Sequence, residues 1–573
     1  MAKKYQIPVK KTTTASLSEP TTGNSLLEWL PVLVAFLVFS LALGNEMTGV
    51  DDHASTVENP AVKDFSLKTL FTNFNLGMYA PLTWLAYAMA YGLGEDNAVL
   101  YHLLSLVVHT INTRLVFLML KKLDVATSLL LPISLLFAIH PIQVESVAWI
   151  AGFSTPLFSL FSLLSFNFYL DYSGREENRT RNYILALVFF ILACLAKSAA
   201  VTVPLTLVVL DWWRKPTNLG LIKKWSGYVP FFLGALGFGL LTIYTREVSG
   251  TMVGATGNGY TALERVLLVC YAPLFYISKM LVPLKLSIYY SFDKINGVLP
   301  WTYYMAPFGV LSLAVLGWRT RQSAPYIYTG LLFFLSNVII TLPFATLGTF
   351  ELCADHYNYI AAIGIFYILV KTWQALQQRF PERAGLLRTV GWVWFIAIMV
   401  LCVRQIRIWK DTITVISNAI ENGYYHNGMM FMGRGIEFGD NGKMQDAMKD
   451  FTKALELNPE IRDAYKFRGS IYAQSGQVDL ALKDLEKYLS YDSTDVVTWN
   501  NVAMIYMRQG KLPKAIEAFT TTIGLKPDAA ISYQNRAKVY EMMGNTALAQ
   551  ADLKQANEIL AQKRQQKAAE NGK

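Results

Sequence analysis

The stretch "LCVRQIRIWKDTITVISN" (residues 401–418) divides the chain in two. Before it, apolar residues come in runs of ~17–25, the length that carries a helix across a ~30 Å hydrocarbon core. After about Trp409 the sequence turns polar and helix-forming. The composition of the 573 residues agrees, with 53% hydrophobic and only 16% charged, too apolar for an ordinary soluble chain. The reading is all-α: a polytopic membrane helix domain followed by a water-soluble helical part.

Downstream, the chain repeats. Gly442, Gly476, Gly510 and Gly544 are spaced by 34 residues, as are Ala447, Ala481, Ala515 and Ala549, and Phe451, Leu485, Phe519 and Leu553. Asn458-Pro459 and Lys526-Pro527 close two of the units. This is the tetratricopeptide signature: Gly permits the turn between paired helices, Ala lets them approach, and each hairpin buries its apolar face on the next. Such an α-solenoid leaves a concave groove suited to a protein or peptide, with a spacer or oligomerisation role as the plainer alternative.

Upstream, apolar runs lie near 29–44, 101–120, 125–140, 147–171, 182–197, 199–213, 228–245, 263–285, 301–318, 324–346, 357–373 and 389–408. Basic residues cluster between them: Lys3, Lys4, Lys10 and Lys11, Lys121–Lys122, "GREENRTR" (174–181), "RKPTNLGLIKK" (214–224), "WRTRQ" (318–322) and Lys371–Arg388. The positive-inside bias puts these on the cytoplasmic side. Alternation satisfies all of them if 263–285, with Arg265, Lys279, Pro273 and Pro283, is re-entrant or interfacial. That leaves about eleven spans, with the first loop and the tail together on the outer side. The expected division is 1–26 as a disordered cytoplasmic N-terminus, 27–410 as the membrane domain with an outer loop over 45–100, and 411–562 as the repeats. The repeats fall near 426–459, 460–493, 494–527 and 528–561, and 563–573 is a polar tail. The run 29–43 could also pass for a signal peptide, but it is Trp-led and many spans follow, so a retained first helix is simpler.

The net charge of +10 does not point to nucleic acid, because its Lys and Arg sit in the short loops that orient helices. The cysteines Cys194, Cys270, Cys353 and Cys402 stand singly, so neither a zinc site nor a disulfide framework is implied. "GATGNGY" (254–260) is loop chemistry, not a phosphate-binding turn after a strand, and no nucleotide-sugar site is supported.

Polar groups gather at the outer ends of the runs. "GNEMTGVDDHASTVENP" (44–60) presents Asp51 and Asp52 just after the first run. "MYAPLTWLAYAM" (78–89) and "YHLLSLVVHTINT" (101–113) add Tyr79, His102, His109 and Asn112. "FAIHPIQVESVAW" (137–149) adds His140 and Glu145, and "ELCADHYNYIAAIG" (351–364) adds Glu351, Asp355, His356, Tyr357 and Tyr359. A solvated cap is the bland reading of paired acids and a satisfied core residue that of His140. Several ionisable groups on one leaflet instead mark a functional site.

The order "DD…ENP.V", "Y.PLTW", "H…H..NT", "LLFAIHPIQVESVAWI", "AKSAAVTVPLTLVVLDWW", "ADHYNYIAAIGIF" and "W.D" before the repeats resembles the transmembrane tetratricopeptide O-mannosyltransferases in a bacterial form. Those belong to the GT-C superfamily of polytopic glycosyltransferases fed by lipid-linked sugars. The resemblance implies a GT-C-like membrane domain. It makes Asp51 and Asp52 the catalytic acids, with one pKa raised by mutual repulsion. Arg246, Lys279, His356 and Tyr357 then face the departing polyprenyl phosphate, supported by Tyr79, His102, His109, His140, Glu145 and Asp355. It further implies a polyprenyl-phosphate sugar such as mannose as donor, a divalent metal as an option, and a protein acceptor gripped by the repeats. The location it implies is a bacterial inner membrane, with the first loop and repeats in the periplasm. Two departures stand out: His356 follows "AD" where relatives carry Arg, and "AGFSTP" (151–156) replaces a charged stretch, which bears on selectivity or activity. A non-catalytic membrane scaffold is the alternative. A transporter fits less well, because the polar groups are not at mid-membrane.

Overall fold

A computed structural model of the chain describes residues 26–174, 177–214, 225–250, 260–290, 294, 297–342, 353–423 and 426–571. The N-terminal segment through residue 25, most of the 214–224 loop, residues 254–259 of "GATGNGY" and Glu351 lie outside the described residues. Every regular element described is a helix.

The first half holds α1 (Leu30–Phe39), α2 (Pro81–Gly94), α3 (Ala98–Lys122), α4 (Thr127–Ile139), α5 (Val144–Ala148), α6 (Ser154–Gly174), α7 (Arg179–Ala196) and α8 (Val203–Arg214). Then come α9 (Trp225–Val248), α10 (Ala262–Leu281), α11 (Trp301–Thr320), α12 (Pro325–Val338), α13 (Ala362–Arg379) and α14 (Ala384–Ile408). Local sequence explains the ends that matter. Asn97 caps α3 by accepting from Val99 N (3.1 Å), and Lys121 and Lys122 sit at the negative end of its dipole. Pro141 has no N–H and cannot continue α4, so the chain bends by 49° into α5. His140 stabilises that break, its Nδ1 accepting from Ile142 N (3.2 Å).

Among the described residues, six helices are long and apolar enough to cross a membrane, or seven if α4 with α5 makes one broken span. The expectation of about eleven spans is therefore not reached by the described helices. The apolar runs did not show where helices stop: α8 and α12 have only 12 and 14 residues, and α13 carries Lys371 and Arg379. The expected re-entrant piece contains the continuous helix α10, which bears Glu264, Arg265 and Lys279 and is not among the six. The six make the chain an integral membrane protein.

The C-terminal part begins with α15 (Thr412–Glu421), whose N-cap Asp411 accepts from Thr414 N (2.8 Å). Four helical hairpins follow: α16–α17 (Gly428–Asp440, Met444–Leu457), α18–α19 (Arg462–Gln474, Val478–Tyr491), α20–α21 (Val496–Arg508, Leu512–Leu525) and α22–α23 (Ala530–Met542, Thr546–Asn571). Gly442, Gly476, Gly510 and Gly544 turn each hairpin at φ of 73°, 76°, 68° and 75°, where an L side chain would be strained. The periodic Ala447, Ala481, Ala515 and Ala549 are buried at the helix crossings.

This part docks onto the start of the membrane part. Asn45 Nδ2 donates to Ile406 O (3.3 Å), Glu46 N to Lys410 O (2.9 Å) and Gly49 N to Thr412 Oγ1 (2.8 Å). A Cβ on Gly49 would stand 2.8 Å from Glu437 of α16, so glycine permits the close approach. The first loop and the root of the repeats thus share one end of the molecule.

Candidate functional site

Residues 51–63 fold into two short helical turns, Asp52–Ser55 and Pro60–Lys63. The two adjacent acids differ sharply. Asp52 is 1% exposed. Its Oδ2 accepts from Thr48 N (2.7 Å) and Thr48 Oγ1 (2.8 Å), and its Oδ1 accepts from Ala151 N (2.8 Å). Burial pushes its pKa up to about 7, against the pull of those hydrogen bonds. The charge of Asp51 contributes least, so mutual repulsion is not the main cause expected from the sequence. Asp51 is exposed, adopts φ 61° in the left-handed region and caps no helix N–H. The surrounding protein raises its carboxyl above the usual range as well; its open side chain argues for a smaller displacement than at Asp52. The solvated-cap reading does not fit the buried Asp52, while Asp51 stands exposed at the N-cap position without a side-chain cap bond.

The loop is stitched to the turn after α5. Trp149 Nε1 donates to Val50 O (2.9 Å), and the Trp149 ring lies 5.7 Å from Trp409 and 6.0 Å from His356. Gly152 makes this turn possible, because a Cβ there would meet Glu145 O at 2.9 Å.

Beyond Trp149 lies a second acidic cluster. The bend at Pro141 directs Glu145 inward, where it is 2% exposed. Its Oε1 lies 2.5 Å from His356 Nδ1, and its Oε2 accepts from Asp355 N (2.9 Å). Asp355 Oδ1 accepts from Tyr290 OH (2.7 Å). Burial and the Glu145 charge push the Asp355 carboxyl well above its ordinary range. Burial and the nearby Lys197 hold the His356 imidazole well below its ordinary pKa, favouring a neutral ring whose Nδ1–H donates to Glu145.

The cations stand around this cluster. Lys279 of α10 donates to Leu284 O (2.8 Å) and Lys285 O (3.0 Å), and its charge bears on Asp355. Arg246 of α9 faces Tyr357, whose ring packs 4.4 Å from His356. Lys197, which sequence reasoning did not single out, donates to Thr155 Oγ1 (2.8 Å) and acts electrostatically on Glu145 and His356. The signal lay in "AKSAA", a Lys closing an apolar run. A small cavity of about 20 Å³, room for a water-sized group, is lined by polar residues Thr155, Lys197, Asn337 and His356 together with apolar Phe158 and Ile360.

Other expected residues serve the scaffold. His140 Nε2 donates to Met280 O (2.9 Å), a satisfied core histidine. His109 Nε2 donates to Ala138 O (3.1 Å) while its Nδ1 accepts from Tyr359 OH (2.7 Å). His102 is buried beside the Asn45 and Glu46 backbone without a close hydrogen bond. Tyr79 packs 6.2 Å from Phe74, which in turn meets Tyr244 of α9. Among the described residues no three His, Cys, Asp or Glu side chains gather for a metal ion, and the Asp52 oxygens are committed to N–H and O–H donors.

Tetratricopeptide-repeat family models match residues 432–495 and 496–528. A protein O-mannosyl-transferase of Caenorhabditis elegans, F38B6.6, is 20% identical over 75% of this chain and 62% of its own length. The human protein O-mannosyl-transferase TMTC3 is 32% identical over 27% of this chain and 18% of its own length. The chain thus spans under two thirds of these curated relatives. Among solved structures, MamA is 23% identical with a TM-score of 0.26, covering 27% of this chain and 90% of that one. The chain is thus similar, over much of its length, to proteins named protein O-mannosyl-transferases, and its C-terminal part carries tetratricopeptide repeats.

Proposed function

We propose that this protein is a GT-C-type membrane glycosyltransferase that moves a hexose such as mannose from a polyprenyl-phosphate carrier to hydroxyl groups of exported proteins. The observation that carries the reading is an open carboxylate, Asp51, held by the anchored Asp52 at the end of the molecule where Lys279, Arg246 and Lys197 surround a buried acidic cluster. The likeness to protein O-mannosyl-transferases supplies the reaction class.

In this mechanism the acceptor oxygen attacks the anomeric carbon and the bond from that carbon to the phosphate oxygen breaks. Asp51 takes the hydroxyl proton, a step worth about 10²–10⁴-fold when a positioned base performs it. The polyprenyl phosphate leaves with the bonding electron pair, its charge met by the cations Lys279, Arg246 and Lys197. The repeats, rooted on the first loop through Gly49 and Thr412, hold the acceptor next to Asp51. On this reading the site lies on the periplasmic face of a bacterial cytoplasmic membrane.

Intact-mass analysis of exported proteins tests the proposal in cells carrying the wild-type chain, Asp51→Asn or no copy. Loss of a hexose-sized mass in both altered strains is expected. If deletion removes the mass but Asp51→Asn keeps it, Asp51 is not the base. If no mass changes in either strain, the scaffold alternative replaces the enzyme.

A further inference from the structure

At the other end of the membrane part, α14 stands off from the bundle, with only 11% of its apolar window buried. Between it and α4 and α13 runs a groove of about 470 Å³, within the range of small-molecule sites. Its depth is apolar, formed by Leu129, Pro132, Leu136, Leu369, Trp394 and Phe395. Its mouth is polar, formed by Ser128, Gln374, Gln377 and Arg388. Gln374 is held in place, its Nε2 donating to Ser128 Oγ (3.0 Å) and its Oε1 accepting from Lys371 Nζ (2.9 Å).

The charge at this mouth is one-sided. Arg388 lines this mouth and Lys371 is hydrogen-bonded to its Gln374, and the segment between them adds Arg379 and Arg383 against a single acid, Glu382. None of the four forms an ion pair among the described residues; Arg388 Nε reaches only Ala384 O of its own helix (3.3 Å). An amphiphile fits this arrangement, with chains among the apolar residues and an anionic headgroup at the basic rim.

Two sources share that chemistry, the sugar carrier and an ordinary anionic phospholipid, and position separates them. α14 runs from Arg388 at the mouth to Ile406 beside the first loop, about 27 Å at the rise of a helix. A carrier whose headgroup must reach Asp51 cannot also place it at Arg388. We infer that this groove binds one anionic phospholipid as a resident lipid, its phosphate held by Arg388 and Lys371 at the end opposite the acidic loop. The site is independent of the proposed catalysis, and its test does not read activity.

Native mass spectrometry tests this on the full chain released from nanodiscs with equal phosphatidylglycerol and phosphatidylcholine. One retained phosphatidylglycerol with a roughly thirtyfold preference is expected, the scale two basic groups at about 1 kcal/mol each give an anionic headgroup. Lys371→Gln/Arg388→Gln should abolish the preference with helix content unchanged. Gln377→Glu, which places a negative charge at the mouth, should do the same in a chain that keeps every cation. Equal retention of both lipids by the wild type, or a preference that survives both variants, overturns the proposal. So does displacement of the lipid by equimolar polyprenyl phosphate, which would assign the groove to the carrier.

Discussion

Asp51 and Asp52 are neighbours in sequence, yet the fold gives them opposite situations, and the difference depends on a residue far along the chain. Ala151 N donates to Asp52 Oδ1, so one carboxylate is drawn inside while the other stays open. The pair was visible in the sequence; which member is buried was not, because local sequence does not report a partner 99 residues away. Lys197 was missed for the same reason. Asp52 carries a sign that can be checked. Its folded pKa of about 7 exceeds the ordinary carboxylate value near 3.9, so the folded chain binds a proton that the unfolded one releases between those limits. Stability should therefore be highest near pH 4, fall through the window by on the order of 4 kcal/mol, and level off above pH 7. Asp52→Asn should flatten that slope. It also sets an amide N–H against a backbone or hydroxyl donor, so the thermal midpoint near pH 5 should drop, at a cost of about 1–3 kcal/mol. Thermal scans of both proteins from pH 4 to 8 check this; an unchanged slope would mean Asp52 does not titrate there.

Among the elements, the repeat hairpins were the most legible, since a fixed period in Gly and Ala states a structure that each unit must copy. A second periodicity is readable only with the fold in hand. Arg434 binds Asp450 through both nitrogens (2.7 and 2.8 Å), Arg468 binds Asp484 (2.7 and 3.0 Å), and Arg536 binds Asp552 (2.8 Å twice). Each pair clamps the two helices of one hairpin. In the third hairpin the same positions are Val502 and Ala518, both buried apolar residues, so the fork is absent there. A hairpin of this array therefore forms without the clamp. Asp484→Ala alone should leave Arg468 half-buried and unpaired and destabilise that hairpin by about 2 kcal/mol, whereas Arg468→Met/Asp484→Leu should recover most of the loss. Hydrogen exchange across α18 and α19 in the full chain reads both variants; equal protection in wild type and Asp484→Ala would show that the pair is idle. The membrane helices were less legible. Apolar runs mark membrane depth but not where a helix ends, and the break at Pro141 and the short α8 reduced the span count.

For the whole molecule, the contacts of residues 45–49 with 406–412 tie the first loop, the last membrane helix and the root of the repeats into one structural unit. On the proposed reading an acceptor held by the repeats is thereby kept near Asp51, and the anionic-lipid groove is left at the far end of the same helices. This arrangement makes direct chemistry at Asp51 the central claim. It is tested most directly with the full chain in proteoliposomes, given a radiolabelled polyprenyl-phosphate hexose and an exported acceptor protein. Wild type should transfer label, Asp51→Asn should lose at least about 100-fold in turnover while still binding the acceptor, and Asp52→Asn should lose activity only as far as its folding suffers. Transfer by Asp51→Asn at the wild-type rate would contradict the account.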